Sequence, residues 1–418
     1  MTAMRSVEEH LAGILASVRN LPAHPCATSD AAGLTLHDDV HAAIDIPAFD
    51  NSAMDGFAVR FDDVNRATAT QPVYLRVIGD LPAGSADDPP IQPGEGVRIM
   101  TGAPLPTDAD TVVPFESTRG GLADSLSTAS IVVAPRDRGA HVRGAGDDVR
   151  AGDRLVSAGV RLGPFQLAAI AAAGVATVVV SRRPRVAVIA TGSELVAAGT
   201  PLRRGQIPES NGTLLAGMAR AADAEVIGLE TVDDDGPALH NAIARLIERA
   251  DAADAIIFSG GVSAGAFEVV RNELAGSMAF TKVAMQPGKP QGFGVLPGGT
   301  LLFGLPGNPV SAAVSCEVFV RPALLALQGR TVLDRPRLRV PAATSWRSPV
   351  GRRQYVPAVL DQGSDAQWRV GPATAGGSGS HLAGGLGHAH ALAVVPADVE
   401  WVETGDLIEV IPLEGWGA

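Results

Sequence analysis

Read for the spacing of its apolar positions, the chain changes texture several times. Ser6 and Glu9 are spaced as a capping box, and Val7, Leu11, Ile14, Leu15 and Val18 follow at helical intervals, so the chain opens on an amphipathic helix. Residues 49–143 hold short β-type runs such as VYLRVIG (73–79) and IVVA (131–134) between turn residues, which predict a small β-rich module. At 164–180, Gly163-Pro164 starts a helix, Gly174 stops it, and VATVVV reads as a strand. From residue 185 the alternation is regular. RVAVIA (185–190), EVIGLE (225–230) and DAIIFS (254–259) read as buried strands, while NGTLLAGMARAA (211–222), a segment over about 236–250 and another from about 266 read as helices. That alternation predicts a parallel, doubly wound sheet. Beyond Gln328 the chain is proline-rich and then strand-like as far as LIEVIPL, which predicts a small all-β C-terminal domain.

Composition narrows the classes. A chain of 418 residues exceeds one ordinary core and predicts two to four domains. Hydrophobic residues at 46% and charged residues at 19% describe a globular chain. A net charge of −12 and a pI near 5.2 exclude a general binder of nucleic acid or of a membrane surface, so an anionic ligand would have to meet positive charge locally. Cys26 and Cys316 lie far apart, fit neither a disulfide framework nor a zinc site, and suit a reducing, cytoplasmic compartment. The N-terminus turns acidic where a secretory signal would carry its apolar stretch. Two charge-free runs, 162–180 and 292–316, are interrupted by glycine and proline and read as buried core rather than as membrane spans.

In a doubly wound sheet, ligands sit beyond the carboxyl ends of the strands, so the loops there are the candidate site. GGVSAG (260–265) leaves a predicted strand and enters a predicted helix, where backbone N–H groups can face a phosphate; a plain turn is the bland alternative. The same residues match the G-x-S-x-G nucleophile elbow, with Ser263 as nucleophile and His381, His388 and His390 available downstream. A serine hydrolase is therefore the runner-up reading. PGKP (287–290) holds Lys289 in a stiff turn, Lys282 lies on a predicted strand before it, and LPGNPVS (305–311) is a further dense loop. One lysine alone would be an ordinary solvated side chain; two beside glycine-rich loops are candidates for anion binding. No GK[ST] occurs, which excludes a P-loop. Asp50, Asp55, Asp147, Asp148, Glu194 and the run Asp233, Asp234, Asp235 sit at loop ends. Singly each is a cap or turn residue; together they can give oxygen ligands to Mg²⁺. His388 and His390 alternate on a predicted strand and are too few for a metal site.

FDNSAMDGFAV (49–59), IMTGAPLPTDADTVVPFE (99–116), RGAGDDVRAGD (143–153), TGSEL (191–195), SGGVSAG (259–265), MQPGKP (285–290) and LPGNPVSA (305–312) occur in one order across most of the chain. In these stretches the chain resembles the MoeA family of molybdopterin molybdenumtransferases, related to the E domain of gephyrin and its plant counterpart. The resemblance implies insertion of molybdenum from molybdate into adenylylated molybdopterin with release of AMP, assisted by Mg²⁺. It implies that Asp55, Thr101, Asp148, Glu194, Asp234 and Glu268, with Lys282, handle metal or substrate, and that Asp55, Asp234 and Glu268 hold the metal. Gly260, Gly261, Ser263, Lys289, Pro290, Pro306, Ser311, Arg352 and Ser380 would line the phosphate and molybdate pocket.

The resemblance also implies an architecture. A discontinuous linking domain would take 22–48 and 144–180, and a β-rich domain 49–143. A MogA-like α/β domain would take 1–21 and 181–328, and a small β-barrel-like domain 329–418. A homodimer with each site shared between subunits is implied, with possible contact to a MogA-type adenylyltransferase. Three departures bear on the pocket: Gln286 where lysine is common, Glu268 where aspartate is common, and Pro357 where some relatives have arginine. The serine-rich loop of relatives reads GSGSHLAGG here. A non-catalytic scaffold or carrier for molybdopterin is the third reading.

Overall fold

RVAVIA forms strand β1 (Arg185–Thr191), EVIGLE opens β2 (Glu225–Val232), and AIIFS forms β3 (Ala255–Ser259). Next come β4 (Met278–Lys282), β5 (Pro290–Val295) and β6 (Leu301–Leu305). The description is of a computed structural model and covers residues 4–121, 126–249, 251–262, 268–374 and 383–413. These strands make one six-stranded sheet in the order β2-β1-β3-β6-β5-β4. Four strands are parallel, as the alternation predicts; β5 and β4 add an antiparallel edge. Helices Asn211–Ala221 and Gly236–Ile247 join the parallel strands, because both carry apolar residues at helical spacing and bury them on the sheet. Every residue of β3 and β6 is buried, the mark of central strands covered on both faces.

The first helix, Val7–Leu15, starts at the predicted capping box: the Ser6 hydroxyl accepts from the Glu9 N–H at 3.0 Å, and Glu9 Oε2 accepts from the Ser6 N–H at 2.9 Å. Its inner face also buries His10, which stands edge-on to Phe319 at 4.8 Å between ring centroids. Burial, helped by the charge of Arg5, lowers the His10 pKa to about 4. The unfolded chain then binds a proton that the folded one refuses, so this residue's contribution is complete above the ordinary histidine range and is lost as pH falls toward 4. Between pH 7 and pH 5 the loss is roughly 2 kcal/mol. Denaturant titrations at the two pH values are expected to show it, and His10→Leu is expected to remove it.

The segment preceding that helix adds itself to the sheet edge. Arg5 N–H donates to the Lys282 carbonyl at 2.9 Å, and Ala284 N–H to the Arg5 carbonyl at 2.8 Å. The helix Pro309–Leu327 is long and apolar enough to cross a membrane, but 78% of its most apolar stretch is buried inside the protein, as in a core helix. It packs into the cluster that includes Val186, Val188, Ile257 and Phe303.

The β-rich stretch forms a five-stranded sheet, in order Thr111–Pro114, Gly56–Val59, Glu95–Ile99, Val73–Leu81 and Thr128–Ile131, with hydrophobic clusters on both faces. The IVVA run is displaced from its predicted position. The strand ends at Ile131, because the N–H groups of Val132 and Val133 both turn to the Ser117 carbonyl and leave the ladder. Strands Ala23–Ala27, Thr177–Ser181 and Thr35–Leu36 form a separate small sheet. Toward the C-terminus, Trp368–Pro372, Arg353–Gln362, Ala391–Val395, Leu407–Pro412 and Leu338–Pro341 pair in that order. A bridge between Ala342 and Val370 joins the two ends, closing a small barrel around Val356, Val395 and Val410.

His388 and His390 do not alternate on a strand. His388 N–H closes a turn onto Gly385, and His390 lies just before Ala391–Val395, its backbone bonded to Ala358 and Leu413.

Candidate active site at the carboxyl ends of the parallel strands

A cavity of about 760 Å³ opens where the topology predicts, beyond the carboxyl ends of the parallel strands. β5 runs the other way, so its first residue, Pro290, meets the same end. The loops after β1 and β2 are tied to each other: the Ser193 N–H and hydroxyl both donate to Asp234 Oδ2 at 3.1 Å. Glu194 lies beside Asp234 in the lining, and Glu209 and Glu268 add two more carboxyl groups. The loop after β3 brings Gly260 and Gly261, and the loop after β6 brings Pro306 and Gly307.

Those two loops pack backbone against backbone. Gly260 has φ +95°, and a Cβ there would stand 2.6 Å from the Thr191 carbonyl oxygen. Only glycine allows this approach. Asn211, the first residue of its helix, clamps the arrangement: Nδ2 donates to Ser259 Oγ at 2.8 Å and to the Gly307 carbonyl at 2.6 Å. Its Oδ1 and the Thr191 hydroxyl are buried in the cavity wall, and neither has a hydrogen-bond partner among the described residues.

The basic side lies on the loop between β4 and β5. Buried Gln291 pins the loop by donating through Nε2 to the Gly288 carbonyl and to Ser315 Oγ, both at 2.7 Å. The Val283 N–H closes it onto the Lys289 carbonyl at 2.8 Å. Lys289 lines the cavity, half-buried, with no carboxylate partner among the described residues. Followed along the sheet order, the lining takes Asp234 after β2, Glu194 and Glu209 after β1, Gly260, Gly261 and Glu268 after β3, Pro306 and Gly307 after β6, and Lys289 before β5.

The structure thus brings Glu194, Asp234, Glu268, Gly260, Gly261, Lys289, Pro290, Pro306 and Ser311 into one lining. Arg352 stands at its edge through a hydrogen bond to Gln286, which lines it. Other predicted residues lie elsewhere in the chain. Asp55 accepts from the Thr101 N–H and hydroxyl, both at 2.7 Å, and these bonds hold the exposed Asp55 carboxyl below its usual range. Asp148 is exposed, and Lys282 closes β4 with an exposed side chain. Neither lines the cavity, nor do Asp55 and Thr101. Asp50 and Asp147 brace turns, accepting from the N–H groups of Ala145 at 2.7 Å and Gly144 at 2.6 Å.

Ser263, Ser380 and His381 fall outside the described residues. The described structure resumes at Glu268, which precedes the helix Val269–Glu273, so the stretch that carries Ser263 lies outside the described residues. Sequence reasoning missed Asn211, Glu209, Thr191 and Gln291. The asparagine opening a helix after a β-strand unit was the one legible signal, and it read equally well as an ordinary helix start.

Comparisons with known proteins agree along the whole chain. Residues 5–174 match the model of the MoeA N-terminal region (domain I and II), residues 187–326 that of a probable molybdopterin binding domain, and residues 339–413 that of the MoeA C-terminal region (domain IV). The chain is 43% identical over 415 residues to molybdopterin molybdenumtransferase 2 of Mycobacterium tuberculosis, covering 97% of this chain and 99% of the relative. It is 37% identical over 427 residues to molybdopterin molybdenumtransferase 1 of the same organism, covering 97% and 98%. A solved molybdopterin biosynthesis MoeA protein from Pyrococcus horikoshii superposes with a TM-score of 0.81 at 30% identity, over 99% of this chain and 100% of that one. The chain belongs to the MoeA family, whose curated members carry the name molybdopterin molybdenumtransferase.

Proposed function

We propose that this chain is a molybdopterin molybdenumtransferase that inserts molybdenum from molybdate into adenylylated molybdopterin and releases AMP. The observation that carries the reading is a cavity lined by carboxylates, by glycine loops and by Lys289, which has no carboxylate partner among the described residues. A substrate with linked phosphates and an incoming oxyanion needs all three. Gly260 and Gly261 let the backbone approach phosphate oxygens closely, the Gly260 N–H itself being bonded to the Leu305 carbonyl at 3.0 Å. Lys289 and Arg352 attract the oxyanion, and Pro290, Pro306 and Ser311 shape its seat.

The donors suit Mg²⁺. They are carboxylate oxygens, and no histidine or cysteine lines the cavity among the described residues. Mg²⁺ usually takes one or two carboxylates and completes its shell with phosphate and water. Asp234 and Glu268 are the residues that would hold it, with Glu194 beside them. When bound, Mg²⁺ supplies neutralising charge on the phosphate oxygens at the bond to be broken.

Asp55, Thr101 and Asp148 serve the same chemistry in our reading, yet lie outside this chain's own cavity lining. A homodimer in which a second copy presents them to the cavity accounts for that separation. We further propose the four-unit division with its discontinuous linking domain, a cytoplasmic location, and contact with a MogA-type adenylyltransferase supplying the substrate. Separate hydrophobic clusters in the β-rich, linking and C-terminal units support the division.

The serine hydrolase reading has less support: neither His388 nor His390 lines the cavity among the described residues. A pure scaffold would not require the carboxylates and Lys289. The test is turnover. The purified chain given adenylylated molybdopterin is expected to release AMP when molybdate and Mg²⁺ are both present, and folded protein that releases none would overturn the reading.

A further inference from the structure

Neither His240 nor Glu273 lines the cavity, yet the two residues join the elements that carry Asp234 and Glu268 into it. Asp234 stands two residues before the helix Gly236–Ile247, and Glu268 immediately precedes the short helix Val269–Glu273. The two helices share one apolar cluster, through Leu239, Ala242 and Ile243 on the first and Val269 and Val270 on the second. Apolar contact of that kind is non-directional, so it does not by itself fix how far one helix sits along the other.

Glu273, the last residue of the short helix, supplies a directional contact. Its Oε2 stands 3.1 Å from His240 Nε2. A Cβ on Gly236 would stand 2.7 Å from both the Glu273 carboxyl carbon and Oε1, so the same carboxylate rests on bare backbone there. Gly236 and His240 are four residues apart and lie on one face of their helix, which places Glu273 against its whole first turn. Negative charge is favoured at that end, where the first N–H groups of a helix carry partial positive charge. Both side chains are exposed, so the pair contributes little to stability. Its consequence lies in position.

We propose that Glu273 is a positioning residue for the metal: resting on Gly236 and holding His240, it fixes the two helices against each other and so sets the separation of Asp234 and Glu268. This rests on the reading above that those two carboxylates would hold Mg²⁺. On the far side Asp234 is already tied to the loop after β1 through Ser193, and the Arg271 N–H ties the short helix to the Gly261 carbonyl at 2.9 Å. The Glu273 contact joins these two braced ends, outside the cavity and without touching a ligand.

The test uses the full chain and measures binding of Mn²⁺, standing in for Mg²⁺, by electron paramagnetic resonance in the parent and in variants that melt as it does. Asp234→Ala and Glu268→Ala are expected to weaken Mn²⁺ binding at least tenfold, and Glu273→Ala about fivefold. Glu273→Ala should also raise, by the same factor, the Mg²⁺ concentration that half-saturates AMP release, with KM for molybdate within about twofold. His240→Ala is expected to lose less, and to add nothing in the Glu273→Ala background. Glu273→Gln keeps the size and a hydrogen bond but discards the charge, so it should bind Mn²⁺ within about twofold of the parent. Unchanged Mn²⁺ affinity in folded Glu273→Ala would overturn the positioning role and leave the metal assignment in place. Equal losses in Glu273→Ala and Glu273→Gln would also overturn it, by assigning the effect to charge alone. Mn²⁺ affinity unmoved by Asp234→Ala and Glu268→Ala would remove the metal assignment and this inference together.

Discussion

Lys289→Ala is expected to lower molybdate-dependent turnover by roughly a hundredfold or more while the protein stays folded. Only two of the 33 basic residues in the chain are lysines, Lys282 and Lys289, and they flank the turn between β4 and β5. Lys289 alone of the two lines the cavity. Its backbone is held by Val283 and its turn by Gln291, so the ammonium is delivered to one place rather than sampling solvent. Removing it takes away the lysine that lines the cavity, and an incoming oxyanion then faces Glu194, Glu209, Asp234 and Glu268 with Arg352 at the edge left to offset them. Lys289→Arg should recover little, because a planar fork does not fill the seat of a compact ammonium in a stiff turn. AMP release against molybdate concentration measures the effect. Turnover near the parent level in folded Lys289→Ala would mean that the oxyanion binds elsewhere.

Gly260→Ala is expected to cost about 3 kcal/mol of stability and most of the activity. Two effects combine at this position. The backbone sits at φ +95°, which an L side chain rarely adopts, and the new methyl would meet the Thr191 carbonyl oxygen at 2.6 Å and its hydroxyl at 3.0 Å. Relief would have to come from moving β1 away from β3, or the loop away from Gly307, which lies against Gly260. Either movement widens the cavity at its centre. Gly199→Ala separates the two effects, since that glycine has φ +88° with nothing within 4 Å of the added carbon. It should cost only the backbone strain, about 1 kcal/mol. Equal losses in the two variants, read from denaturant midpoints, would show that crowding at Thr191 contributes nothing.

The parts of the molecule legible in the sequence are those with a strong local rule. β1 and β3 declared themselves as unbroken apolar runs, and Ser6 with Glu9 gave the first helix to the residue. Where the rule depended on a partner strand, the reading failed. IVVA was assigned by composition, but its pairing ends at Ile131, where the Ser117 carbonyl captures the next two N–H groups. The antiparallel pair β4 and β5 was not foreseen, because glycine and proline in β5 mask a strand that a hairpin partner holds in place. The candidate site divides in the same way. Glycine loops and Lys289 were readable because each has few alternative uses. Asn211 and Gln291 were not, since an amide side chain acquires its role only when two distant loops meet over it. The carboxylates lay between: among Asp233, Asp234 and Asp235, only Asp234 lines the cavity, and the sequence could not say which.

The most direct measurement of the central claim is a single-turnover reaction of the purified chain with adenylylated molybdopterin, molybdate and Mg²⁺, counting AMP and pterin-bound molybdenum together. The account predicts that the two products appear in equal amounts and that omitting molybdate or Mg²⁺ prevents both. AMP released without molybdenum reaching the pterin, or a folded protein that binds the pterin and forms neither product, would contradict it.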